Sequence, residues 1–214
     1  MRFSRSALLA GLAVASMLWL SGCATFRYYN ITDFNTVVVD PGHGGRDAGA
    51  TSPRLRRIGR LQEKDLALDV ARRLEGKLSD AGFRTVMTRR SDRFIPLDDR
   101  VAISNAHFKS VFISIHFNDT RRRSIHGVEV YHNRRGTWQL AERIDRSLAS
   151  MSQGENRGVK TARYRVLRNS QGPALLVECG FLSNPAEAVR CADPVWREEV
   201  ATRLARAIIA QRQP

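Results

Sequence analysis

Three short apolar runs constrain this chain more than any other feature. Thr36-Val37-Val38-Val39-Asp40, Val111 to Phe117 and Pro173 to Cys179 are nearly continuous hydrophobic segments. Runs of this length without alternation read as strands buried on both faces, the kind found where helices cover a parallel sheet on each side. The intervening sequence supplies such helices. Glu63 to Asp80 carries Leu66, Val70, Leu74 and Leu78 at steps of four, with Ala67 and Ala71 beside them, and stops near Gly82. Leu97 to His107, Thr137 to Ser150 and Val195 to Gln211 also read as helices. Phe83 to Thr88 and Gly127 to Asn133 read as further strands, and Tyr164 to Arg168 as a short one. Strands alternating with helices predict a single α/β domain, a mainly parallel twisted sheet with helices on both faces. No repeat, low-complexity block or second domain is visible after residue 36.

The N-terminal segment bears on compartment. Arg2 and Arg5 precede Ala7 to Leu20, an uncharged apolar run of 14 residues. A spanning helix needs about 20 such residues, so the run reads as the core of a signal peptide. It ends in Leu20-Ser21-Gly22-Cys23, which resembles the lipobox of bacterial lipoproteins. That resemblance implies cleavage before Cys23 and a lipid on Cys23. The expected organisation is a signal peptide over 1–22, a lipidated tether over 23–35 and the folded domain over 36–214. Residues 24–35, fully extended, reach roughly 40 Å at most, which keeps the domain near its membrane. Ala24, rather than Asp, after the cysteine resembles outer-membrane sorting, so the expected location is the periplasmic face of that membrane in the cell envelope. A monomer is expected.

Charge alone leaves three partners open. The 35 Lys+Arg against 21 Asp+Glu give +14, which suits nucleic acid, an anionic membrane or an anionic polymer. Removing residues 1–22 takes away two arginines and no acid, leaving +12 on the side chains. Export removes nucleic acid from the set. Only four of the basic residues are lysines, so part of the excess reflects arginine usage rather than a binding face. Beyond Cys23 only Cys179 and Cys191 remain. In an oxidising envelope two readings stand, a disulfide or two buried thiols.

Four residues occupy informative places. His43 follows the first strand in Asp40-Pro41-Gly42-His43-Gly44-Gly45, and His116 lies near the end of Ser114-Ile115-His116-Phe117-Asn118. Glu178 interrupts an apolar strand end in Val177-Glu178-Cys179-Gly180-Phe181, and Glu63 opens the first helix. Open α/β sheets bind ligands outside the carboxyl ends of their strands. If the strands are parallel, all four residues emerge on that edge. Two imidazoles and a carboxylate make a catalytic zinc set with one position left open. The second carboxylate then serves as general base.

In this order, Val38 to Gly45, Glu63, Ser114 to Asn118 and Val177 to Asn184 resemble the zinc-dependent N-acetylmuramoyl-L-alanine amidases of the type 3 class, over about residues 36–212. The resemblance implies one zinc ion held by His43, Glu63 and His116, with Glu178 as the catalytic glutamate. It implies hydrolysis of the amide between N-acetylmuramic acid and L-alanine in peptidoglycan, and it suggests Asn118 and Asn184 as substrate-positioning groups. A zinc peptidase cutting within the stem peptide, or a non-catalytic wall-binding lipoprotein, is the alternative. Two departures stand out. Asp119 occupies a place where relatives usually carry a small neutral residue. And only about 40 residues separate Asn133 from Pro173, so no built-in plug over the zinc is expected. His107, His126 and His132 read as surface or loop residues. The runs Arg54-Leu55-Arg56-Arg57 and Arg121-Arg122-Arg123 read as solvated loop charge, with a role in attracting anionic substrate as the functional alternative.

Overall fold

A computed structural model describes residues 31–56, 58–151 and 156–212. The signal peptide, Cys23 and most of the tether lie outside the described residues. Six strands form one sheet: β1 (Thr36–Pro41), β2 (Arg84–Met87), β3 (Ser110–Asn118), β4 (Val128–His132), β5 (Asn156–Thr161) and β6 (Ala174–Phe181). Their order across the sheet is β2-β1-β3-β6-β4-β5. All neighbours run parallel except β4 and β6. The sheet is therefore mainly parallel, and β4 enters it from the edge where the parallel strands end.

Helices cover both faces unequally. The thick face carries α1 (Glu63–Asp80), α3 (Trp138–Ala149) and α6 (Pro194–Arg212), with α5 (Pro185–Ala192) beside α6. Here Val37, Val39, Ile113, Ile115, Leu175 and Val177 meet the buried stripe Leu66, Val70, Leu74 and Leu78. The thin face carries only α2 (Leu97–Asn105) and the single-turn α4 (Arg165–Arg168). Val38, Phe112, Ala174 and Leu176 pack there against Val101, Val166 and Leu167. Side chains alternate along a strand, so the next thin-face positions after Val38, Phe112 and Leu176 include Asp40, Ser114, His116 and Glu178. The two short helices leave a pocket at that end of the sheet, lined by Asp40, His43, His116 and Glu178 among others.

Three local readings change. Tyr164 to Arg168 is not a strand: Arg165–Arg168 is a helical turn whose adjacent Val166 and Leu167 are both buried. The sixth strand is instead Asn156–Thr161, a half-exposed edge segment without an apolar pattern. Ile31 and Phe34, read as tether, belong to the core, where the Phe34 ring stacks on Phe83 at 5.6 Å. Cys179 and Cys191 are free and buried. Burial pushes both thiols well up, which keeps them inert.

Candidate active site

The first strand and its loop are held by buried charge. Asp40 is almost fully buried and accepts hydrogen bonds from Thr88 Oγ1 (2.6 Å), Ser114 Oγ (2.6 Å) and Arg100 Nη1 (2.7 Å). Arg100 also donates to the carbonyls of Pro41 and His43, each at 2.6 Å. Arg89, equally buried, donates to the carbonyls of Pro41 (3.0 Å), Gly42 (2.7 Å) and Lys64 (2.8 Å). Two guanidiniums thus fix the turn that presents His43. That residue has φ 58, a left-handed conformation unusual for a side chain other than glycine. Strained positions of this kind persist only where surrounding structure over-determines them.

His43, Glu63 and His116 converge. Their ligand atoms all lie within 4.8 Å of one another. Glu63 Oε2 is 3.1 Å from His43 Nε2, and Glu63 Oε1 is 2.7 Å from His116 Nδ1. Backbone N–H groups hold the same carboxylate: Ala50 donates to Oε2 (2.7 Å) and Phe117 to Oε1 (3.0 Å). His43 Nδ1 lies 2.8 Å from Asp47 Oδ2, so a second carboxylate orients that ring. Burial alone would raise the Glu63 carboxyl. The hydrogen bonds and charges of His116 and His43 outweigh it and hold Glu63 far below the ordinary carboxylate range. Burial would lower His43, yet Glu63 and Asp47 together raise it. Glycines make room for the cluster. A Cβ on Gly42 would sit 2.3 Å from His116 Cε1, and one on Gly49 2.4 Å from Glu63 Oε2.

Glu178 stands directly opposite His116 in the β3–β6 register. Beyond this pair the register shifts, with Asn118 opposite Phe181. The extra residue lies on β6, a bulge of the kind that re-aims side chains beside active sites. Glu187 secures it, accepting from the backbone N–H of Phe181 (2.7 Å) and of Gly127 (3.1 Å). Glu178 Oε2 is buried without a hydrogen-bond partner. Burial, then the charges of Glu63 and Glu129, raise this carboxyl well above the usual range. Glu178, His43 and His116 line one cavity of about 510 Å³, with Tyr164 and Arg165 on its far wall.

The other sequence candidates fall elsewhere. Asn118 donates to Glu129 Oε2 (2.9 Å), and its Oδ1 accepts from Asp119 N (2.8 Å). Asn184 caps α5, accepting from the N–H of Ala186 (2.9 Å) and Glu187 (3.1 Å), with Pro185 in the first helical turn. Its side-chain oxygen is thereby engaged in structure. His132 is buried, with Nδ1 3.0 Å from Thr137 Oγ1, and is neither a surface nor a loop residue. The span between β4 and β6 builds α3, β5 and α4.

Sequence reasoning missed a second charged group beside Glu178. Glu129 on β4 faces Glu178 in register and binds Arg157 Nε (2.8 Å), Lys160 Nζ (2.6 Å) and Tyr131 Oη (2.8 Å). The alternation of Val128 and Val130 with Glu129 and Tyr131 signalled a half-polar strand. Only the antiparallel entry of β4 brings Glu129 to the catalytic edge.

Two imidazoles and a carboxylate in mutual contact, with a carboxylate oxygen beside them that has no partner among the described residues, form a cluster at the end of an α/β sheet that could hold a metal ion. The donor set can hold a metal ion, and the partnerless Glu178 oxygen points to a group that such a site serves.

Comparison with known proteins agrees. The family model for N-acetylmuramoyl-L-alanine amidase matches residues 37–210. The chain belongs to this amidase family and is an enzyme of that class. It is 36% identical over 173 residues to N-acetylmuramoyl-L-alanine amidase LytC of Bacillus subtilis, covering 78% of this chain but only 33% of LytC. It is 35% identical over 209 residues to the uncharacterized protein YqiI of the same organism, covering 96% of this chain and 93% of YqiI. The structure of amidase AmiC2 of Nostoc punctiforme superposes with a TM-score of 0.77 at 35% identity, over 84% of this chain and 97% of that one.

Proposed function

We propose that this protein is a zinc-dependent amidase that cuts peptidoglycan between the lactyl group of N-acetylmuramic acid and the L-alanine of the stem peptide. The observation that carries the reading is the contact of His43, Glu63 and His116 at a pocket that also holds the unpartnered Glu178. The residues fit a single zinc ion: two imidazole nitrogens and one carboxylate, with Asp47 orienting His43. Bound zinc supplies a Lewis acid and lowers the pKa of coordinated water. Glu178 accepts the proton of the attacking water and returns it to the departing amine of L-alanine. Its proton affinity, raised by burial and then by the charges of Glu63 and Glu129, suits that task. Arg89 and Arg100 fix the loop that carries His43, so the ligand geometry is set before substrate arrives.

The reading extends to location. Residues 1–22 act as a signal peptide, and a lipid on Cys23 holds the enzyme, as a monomer, at the periplasmic face of the outer membrane. No helix among the described residues is long and apolar enough to cross a membrane. The peptidoglycan substrate lies within reach of such an anchor.

Mass analysis of digested muropeptides tests the reaction. An amidase releases peptides beginning with L-alanine and leaves glycan with bare lactyl groups. A cut between two amino acids refutes the assignment and makes the protein a peptidase. Metal analysis of the purified domain, expected to give one zinc per chain, tests the cofactor. Labelling with a radioactive fatty acid, lost on Cys23→Ser, tests the anchor.

A further inference from the structure

A second hollow, of about 390 Å³, is lined by the loops whose backbone holds Glu63 and has no part in the chemistry described above. The loop before α1 contributes Ser52 and Arg60 to its walls, and the loop after β3 contributes Asp119, Arg121 and Arg123. Ser183, in the turn after β6, completes it. The two walls start one and two residues from backbone groups that hold Glu63: Thr51 directly follows Ala50, and Asp119 lies two residues after Phe117. The catalytic cavity contains His43 and His116, and the hollow adjoins the backbone that holds Glu63.

The hollow is a built feature. Ser52 and Ser183 are buried; Ser52 braces its own loop, and Ser183 fixes backbone across the gap. Ser52 Oγ accepts from Leu61 N (2.9 Å), and Ser183 Oγ accepts from Thr120 N (3.0 Å). Three exposed arginines and one exposed aspartate line the hollow. None of the three takes part in an ion pair among the described residues. Elsewhere, Arg73, Arg90, Arg165, Arg197 and Arg203 are paired with acids, whereas Arg54, Arg84 and Arg206 are exposed without an ion pair among the described residues but do not line the hollow. The positive charge of the hollow is thus left for something outside the chain.

We propose that the hollow is a carboxylate-binding subsite for the peptide arm of the substrate. This rests on the amidase reading. Past the scissile amide, the peptide leaves the metal cluster beginning with L-alanine. The next residue is a glutamate joined through its side chain, which leaves its α-carboxyl either free or amidated. Guanidiniums bind a carboxylate through charge-assisted, often bidentate hydrogen bonds. Amidation removes the charge and one acceptor. The subsite therefore selects stems with a free α-carboxylate, and Asp119 on its rim weakens that selection by repulsion.

Two matched muropeptides, identical except for amidation at that carboxyl, test the proposal through the ratio of their kcat/KM values. The wild type is expected to prefer the free acid roughly tenfold at low salt, the size of one charge-assisted hydrogen bond at an exposed site. The preference shrinks as salt is raised. Arg121→Gln with Arg123→Gln brings the ratio to about one, whereas Asp119→Asn raises it; the opposite signs separate recognition from any general loss of structure. Should the double variant fail to fold, Arg60→Gln alone must still lower the ratio. A wild-type ratio near one, or a ratio that none of these changes moves, overturns the subsite while leaving the amidase reading intact. That is also the result expected if the hollow serves a phosphate polymer of the wall. Failure of the wild type to release peptide from either substrate overturns the amidase reading, and the subsite with it.

Discussion

Gly49 is one of the positions where the site leaves little room, and Gly49→Ala tests how far the cluster depends on that space. At Gly49, φ is +65; an added Cβ would lie 2.4 Å from Glu63 Oε2 and 2.6 Å from His43 Cδ2. Ordinary contact begins at 3.4 Å, so the carboxylate must retreat by about 1 Å or the loop must shift. Metal–ligand distances tolerate only about 0.2 Å. The left-handed backbone adds a separate cost of roughly 1–2 kcal/mol for a residue with a Cβ. Gly59 separates the two effects. It also has positive φ, +72, but nothing lies within 4 Å of its Cβ position. Both alanine variants are expected to lose about 1–2 kcal/mol in urea denaturation of the metal-free protein. Only Gly49→Ala should lose zinc affinity, by about 10–100-fold in competition with a chelating dye, the range seen when groups around a metal's ligands are disturbed. Wild-type affinity in Gly49→Ala refutes the reasoning. An equal loss in Gly59→Ala refutes it too, because the loop as a whole would then be responsible.

Glu178→Gln preserves shape and removes the base; turnover should fall by roughly 10²–10⁴-fold while zinc stoichiometry stays at one, measured by muropeptide release and metal analysis. Arg100→Met leaves Asp40 buried without its cation and should cost about 3–5 kcal/mol in chemical denaturation. The metal-free protein should show a bell of stability against pH. Glu63, held below its usual 4.5, contributes above that pH and loses its contribution as pH falls toward the depressed value. His43, raised above its usual 6.5, contributes fully below that pH and loses its contribution as pH rises through the raised value. Thermal unfolding across pH 3 to 9 reads both limbs. Zinc affinity should rise with pH over the same alkaline limb, because His43 must lose its proton to bind.

Strand and helix positions were legible where one physical signal dominated. The runs at β1, β3 and β6 are buried on both faces, and nothing but a covered parallel sheet accommodates three of them. The stripe of α1 is equally plain, and it starts at Glu63. The cluster was legible because strand ends and helix starts in such a sheet share one edge, which places His43, His116 and Glu63 together without contact information. Short segments were not legible. Val166 and Leu167 are adjacent, and a two-residue apolar pair fits a strand or a helical turn equally well. Asn156–Thr161 is a polar edge strand that pairs on one side only, so little apolar pattern was required of it. Ile31 and Phe34 sit in a segment without period, and only the stacking of Phe34 on Phe83 shows that the folded domain begins before β1. Asn184 followed by Pro185 was a readable cap signal; the family resemblance drew attention to the asparagine for a different reason.

Arginine shows most clearly what composition hides. A net charge of +14 invites a search for one polyanion-binding face. In the structure the guanidiniums divide by environment. Arg89 and Arg100 are buried and spend their donors on the carbonyls of Pro41, Gly42, His43 and Lys64, so their work is to hold a strained turn. Arg73 and Arg197 share Asp69, tying α1 to α6 across the thick face. Arg157 joins Lys160 on Glu129 beside Glu178. A total charge counts all of these as available, yet each is already answered by an acid or a carbonyl. Arg60, Arg121 and Arg123, like Arg54, Arg84 and Arg206, have no ion pair among the described residues, but they alone of these line one hollow together. They are exposed, come from two separate loops, and line a hollow built from the loops whose backbone holds Glu63. If charge helps this enzyme find its substrate, that small group is the place to look. The quantity that measures it is the salt dependence of turnover in variants of those three residues, rather than the net charge of the chain.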